Sequence, residues 1–167
     1  SFSVTDDQGN TSALATTIVT LLGLALASAP LVVTAPTATG VKGTAIAVSP
    51  VVLISDIDSA SMKAATVSAS SGTLAYGDLP TGVTATRNAG SVTFTGIASV
   101  AVYQEILQSV TLTSSSAGLV TVSVTVTDDQ GKASVPSTTV VAVLNAPVQI
   151  PPLLITAPAA AGTTGSA

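Results

Sequence analysis

In "LVTVSVTVTD" (119–128) apolar and polar residues alternate from Val120 onward. Val120, Val122, Val124 and Val126 fall on one side, and Thr121, Ser123, Thr125 and Thr127 on the other. A period of two predicts a half-buried strand. The same alternation runs through "SVTFTG" (91–96) and "SVTLTS" (109–114) and, with smaller residues, through "ATVSAS" (65–70) and "GVTATR" (82–87). "VVLIS" (51–55) is a continuous apolar run, which predicts a more deeply buried strand. Turn signals separate these segments at Ser71-Gly72, Pro80-Thr81-Gly82, Asn88-Ala89-Gly90 and Gln130-Gly131, a spacing typical of a sandwich or barrel. One segment departs from the period. "SVAVYQEILQS" (99–109) sets Val100, Tyr103 and Ile106-Leu107 at helical spacing behind Ser99, so a short capped helix is expected.

The pattern also repeats over a longer distance. "VTDDQG" stands at 4–9 and again at 126–131, and an ungapped shift of 122 aligns residues 1–45 with 123–167 at 21 of 45 positions. The matches include Ser12 with Ser134, Thr16-Thr17 with Thr138-Thr139, and Thr34-Ala35-Pro36 with Thr156-Ala157-Pro158. A period of this length is the size of a domain able to bury its own core, so each repeat is expected to be one bead. The expected division is 1–30 as the last strands of a preceding repeat plus linker, 31–146 as one complete repeat, and 147–167 as the start of the next.

"IVTLLGLALASAPLVV" (18–33) is uncharged and invites a membrane-spanning reading. Sixteen residues is short for a span, and the counterpart "VVAVLNAPVQIPPLLI" (140–155) holds Asn145, Gln149 and three prolines. Equivalent positions should share a fold, so both segments are expected to read strand, extended linker, strand, with no membrane span.

Composition narrows the function further. The chain is 47% apolar but 2% aromatic and 7% charged, so its core must be aliphatic and stacking platforms for sugars or bases have little to build with. A net charge of −4 with four basic residues removes the phosphate-neutralising patch that nucleic acid needs. There is no Cys and no His, which excludes zinc sites, thiol nucleophiles and His-based triads. No acid–base pair is apparent, and a non-enzymatic protein is expected.

The acidic residues concentrate in "SDIDS" (55–59) and "TDDQG" (127–131). On a strand, Asp56 and Asp58 share a face, where their carboxylates could converge on one hard cation, calcium by preference. Asp128 or Asp129 could join them at the same pole, and Asp6 and Asp7 are their counterparts in the earlier copy. Asp128 to Gly131 also fits a type I turn, and the two roles are compatible. Asp78, Glu105, Lys42, Lys63 and Arg87 are expected to be solvated surface. Asn10-Thr11-Ser12 matches a glycosylation sequon, a weak three-residue signal.

"VSPVVLISDIDSASMKAATVSAS" (48–70), "TFTGIASVAVYQEILQSVTLTSSSAG" (93–118) and "VSVTVTDDQGKAS" (122–134), in that order, resemble the cadherin-like, immunoglobulin-fold repeats of very large bacterial surface proteins and adhesins. The resemblance covers roughly 41–145. It implies an all-β, immunoglobulin-like β-sandwich in tandem copies with one short helix each, placement outside the cell or on the bacterial surface, and calcium at or near domain junctions. Carried over by position, the calcium ligands would be Asp56 and Asp58, with Asp128, Asp129, Asp6 and Asp7 as a further set. The expected function is a structural segment of a tandem-repeat fibre or adhesin stalk in cell adhesion or biofilm matrix. Its partners would be neighbouring repeats and copies of itself, because the weakly charged Thr/Ser/Ala surface lacks charged edge residues. In one variant residues 1–23 complement a neighbour as an inserted strand. The alternative is a ligand-binding adhesin module that grips a host surface or polysaccharide through loops such as 71–90.

Overall fold

The computed structural model describes residues 2–13 and 27–146. The latter carry eleven strands and one helix: β1 Leu31–Thr34, β2 Thr37–Val41, β3 Ile46–Ala47, β4 Val52–Ser55, β5 Ser61–Ala69, β6 Thr73–Ala75, β7 Thr84–Asn88, β8 Ser91–Ser99, α1 Val100–Gln108, β9 Thr111–Thr113, β10 Gly118–Asp128 and β11 Ser137–Leu144. The fold is all-β with one short helix. A six-stranded sheet runs β2-β11-β10-β5-β8-β7, a three-stranded sheet β3-β9-β6, and β1 pairs with β4 alone. Every pairing is antiparallel except β11 with β2, where Val140 to Leu144 run parallel to Thr37 to Val41.

Alternation decides the core. The inward residues of β10 (Val120, Val122, Val124, Val126), of β8 (Val92, Phe94) and of β11 (Val141, Val143) join Leu74, Leu112, Val32, Val52 and Ile54 from the smaller sheets in one hydrophobic cluster. β4 departs from expectation. Val52 and Ile54 are buried, but Val51 and Leu53 are 62% and 54% exposed. The two-stranded β1-β4 sheet packs one face on the core and leaves Leu31, Val33 and Leu53 exposed on the other. The other edge of β4 is closed by the helix, where the Gln104 side-chain oxygen accepts from the Ile54 N–H at 2.9 Å.

"Thr-Ala-Pro" at 34–36 is the place where the chain leaves β4 and joins β11. Thr139, fully buried, donates its hydroxyl to the Ala35 carbonyl at 2.6 Å, Ser49 Oγ accepts from the Ala35 N–H at 2.8 Å, and the Pro36 carbonyl accepts from Val140 at 2.9 Å. Proline can neither donate nor continue the β1 ladder, so the sheet switch is written into the sequence.

The expected helix forms over Val100–Gln108, capped by Ser99 Oγ, with Tyr103, Ile106 and Leu107 buried. Tyr103 reaches back to β8, where its hydroxyl donates to the Gly96 carbonyl at 2.6 Å, and burial pushes its pKa up to about 12. Gly96 sits in a bulge: two β8 residues lie between the partners of Met62 and Ala64, opposite the single Lys63. Its φ of 146° and the approach of the Gly82 carbonyl leave no room for a Cβ. Gly96→Ala should therefore cost more than about 2 kcal/mol, and Tyr103→Phe about 1–3 kcal/mol for the lost bond. Urea unfolding measures both, and a Gly96→Ala protein as stable as wild type would refute the packing described for this bulge.

Candidate functional site

β10 carries Asp128 inward because Asp128 is the next residue in phase after Val120, Val122, Val124 and Val126. It is 0% exposed. The strand ends there in a turn, with Gly131 N donating to the Asp128 carbonyl at 3.2 Å and Gly131 at φ 93°. Asp56 and Asp58 approach from the loop after β4. That strand stops at Ser55, so they do not share a strand face as expected. The loop brings them together instead, with the Asp58 N–H donating to Asp56 Oδ1 at 3.3 Å.

The three carboxylates share one arrangement. Asp56 Oδ1 accepts from the Asp58 N–H, Asp58 Oδ2 from the Ser28 N–H at 2.9 Å, and Asp128 Oδ1 from the Lys132 N–H at 2.7 Å. Each thus spends one oxygen on a backbone N–H. The other three oxygens, Asp56 Oδ2, Asp58 Oδ1 and Asp128 Oδ2, are buried and have no hydrogen-bond partner. A buried carboxylate oxygen without a partner is expensive, and each of the three would gain from a cation or a proton.

The electrostatics agree. Burial pushes the Asp56 carboxyl up, and the neighbouring Asp58 and Asp128 charges add to the rise. Asp58 is held below the usual carboxylate range by the Ser28 N–H first, then by Asp56 and the Gln130 amide. Among the described residues no group of three or more Asp, Glu, His or Cys forms a ready-made metal cluster. A cation at this pole would have to complete its shell from carbonyls and water, as calcium can in irregular geometry.

The remaining acidic candidates separate. Asp129 is exposed and accepts from Ser59 Oγ at 2.8 Å, which makes it part of the rim. Asp6 and Asp7 belong to a second hairpin that reproduces the first at a shift of 122. Asp6 N to Asn10 O, Gly9 N to Asp6 O and Ser12 N to Val4 O repeat Asp128 N to Lys132 O, Gly131 N to Asp128 O and Ser134 N to Val126 O. Val4 N to Ser12 Oγ repeats Val126 N to Ser134 Oγ, each at 3.0 Å. The surroundings differ. Asp6 is exposed and its Oδ2 accepts from the Asn10 side chain at 3.0 Å, where the later copy has Lys132 and an unpaired oxygen. That bond holds the Asp6 carboxyl below its ordinary value and occupies the sequon asparagine.

Three of the surface charges have definite neighbours. Arg87 lies 4.5 Å over the Tyr76 ring and donates to the Leu74 carbonyl at 2.8 Å, tying β7 to β6 across the gap between their sheets, while Tyr76 meets Phe94 edge-on at 5.2 Å. Asp78 and Glu105, distant in the chain, border one concavity of about 330 Å³ between the 77–80 loop and α1. Among the described residues no helix is long and apolar enough to cross a membrane, and most of the apolar 18–33 segment lies outside them. Comparison with protein-family models gives no match for this chain, and comparison with curated proteins gives none.

A pH dependence follows from the pair. A raised folded pKa at Asp56 contributes stability that is complete below the unfolded value near 3.8 and is lost as pH rises through the raised value. Asp58, held down, acts in the opposite sense and only as pH falls below that value. With a chelator present, the melting temperature should therefore decline as pH rises above the unfolded value near 3.8, and Asp56→Asn should flatten the slope. A slope unchanged in Asp56→Asn would contradict the assignment.

Proposed function

We propose that the chain is a segment of an extracellular bacterial tandem-repeat fibre or adhesin stalk. Its beads are immunoglobulin-like sandwiches, non-enzymatic, and stiffened by calcium where one bead follows another. The observation that carries this reading is the trio of unpartnered oxygens on Asp56, Asp58 and Asp128, beside the Ser28 N–H. Ser28 belongs to the stretch through which the chain arrives from the preceding "VTDDQG" hairpin, so the cation pole is also the junction pole. The matching hydrogen bonds of the two hairpins support the tandem reading, and on that reading Asp6 and Asp7 belong to the acidic pole of the preceding bead. Bacterial surface placement and self-association into a fibre rest on the resemblance and on the weakly charged Thr/Ser/Ala surface.

A glycan- or host-binding module is less well supported. In the 71–90 region Tyr76 is occupied by Phe94 and Arg87, and the concavity between Gly72 and Val92 is about 220 Å³, small for such a ligand. Calcium at a hundredfold excess over its Kd should raise the melting temperature by roughly 10 °C, and Asp56→Ala/Asp58→Ala should abolish the rise. Calorimetry with calcium and with a chelator decides it, and equal melting in both would remove the cation from the proposal.

A further inference from the structure

We infer that successive copies of the repeat dock pole to pole, the Ile57 tip of one copy seating on the Leu119–Leu144 corner of the copy before it. This rests on the tandem-repeat reading above and adds a contact surface to it. Ile57 stands between Asp56 and Asp58 and is 89% exposed, an apolar side chain projecting from an otherwise acidic loop. At the opposite end of the six-stranded sheet, Leu119 pairs with Ala142, which puts Leu119 and Leu144 on one outward face as diagonal neighbours. They are 74% and 52% exposed. β10 runs from that corner to the acidic pole in eleven residues, so the two apolar spots are separated by about 35 Å of strand. They cannot cover each other within one bead.

Chain length brings them together between beads. Leu144 ends the last strand, and its counterpart 122 residues earlier is Leu22, a leucine in both copies. Six residue steps lead from Leu22 to Ser28, whose N–H is fixed on Asp58 at 2.9 Å. Six steps span at most about 21 Å, so on the repeat reading the end of one bead lies within that reach of the acidic loop of the next. Charge agrees with the apolar match. Exposed Lys42 lies beside Leu144, its N–H donating to the Leu144 carbonyl at 2.9 Å, whereas the pole it would face carries Asp56, Asp58 and Asp129. The following copy has Thr164 in place of Lys42, so this charge adds to the contact without being its condition.

The test uses the full chain lengthened by one period, residues 1–144 followed by 23–167, with calcium present. The chain has no Cys, so Thr86→Cys in both beads gives one spin label per bead on an exposed edge strand. Pulsed electron paramagnetic resonance should return a narrow distance distribution. Ile57→Ser in the second bead should widen it at least twofold without moving the melting temperature by more than about 2 °C. Leu119→Ser in the first bead, remote from its own acidic loop, should do the same. A broad distribution between two folded beads in the parent chain, or variants as narrow as the parent, would overturn the pole contact and leave the repeat reading standing. A lengthened chain that melts as a single bead would overturn the repeat reading and this inference with it.

Discussion

Val120, Val122, Val124 and Val126 fix the phase of β10, and most of the molecule follows from that phase. A strand cannot slip by one residue without turning four valines to solvent and four hydroxyl side chains into an aliphatic core, a change of several kcal/mol. With the phase locked, β5 and β11 have their registers set on either side, and the parallel strand β2 can be added only beyond β11. The same phase delivers Asp128 to the interior at the strand's end. Hydrophobic burial along β10 thus holds a carboxylate where its own solvation would never place it.

Much of this was legible in the sequence. Strong alternation gave β8 and β10, helical spacing gave α1 with its Ser99 cap, and the turns fell where glycine was expected. β2, β3 and β6 were not legible, because "TATGV", "IA" and "TLA" are too short or too weakly patterned to show a period. For β4 the apolar run concealed a one-sided strand, since sequence does not reveal that an outer face stays without a partner. Asp56 and Asp58 share no strand face, which their spacing suggests, because β4 ends at Ser55, yet the loop brings them together. Burial of Asp128 did have a signal: it continues the inward valine series by two residues. That signal was masked by the turn preference of Asp-Asp-Gln-Gly, and both turned out to hold.

The two "VTDDQG" hairpins separate what a hexapeptide determines from what its surroundings determine. Backbone bonds, the left-handed glycine and the serine closing the turn are the same in both, so the turn is local chemistry. The fate of the first aspartate is not local. Beside Asn10 its second oxygen is satisfied and exposed, whereas under Met62 and next to Asp56 the same oxygen is buried and unpaired.

Topology then decides how the bead would respond to tension. β2 and β11 are the long-sheet strands nearest the two ends of the bead, and they run parallel from the acidic pole to the Leu144 corner. Pulling the chain by its ends draws β2 toward one pole and β11 toward the other, so the five residue pairs from Thr37–Val140 to Val41–Leu144 are loaded together in shear. An antiparallel terminal pair would open one bond at a time from its end. β1 adds resistance in series through its pairing with β4, and the Thr34–Pro36 switch, held by Thr139 and Ser49, prevents load on β1 from peeling β2 off its partner. A cation drawn to Asp56 and Asp58 would fix the one segment outside this shear path, the stretch at Ser28 where tension first reaches the bead.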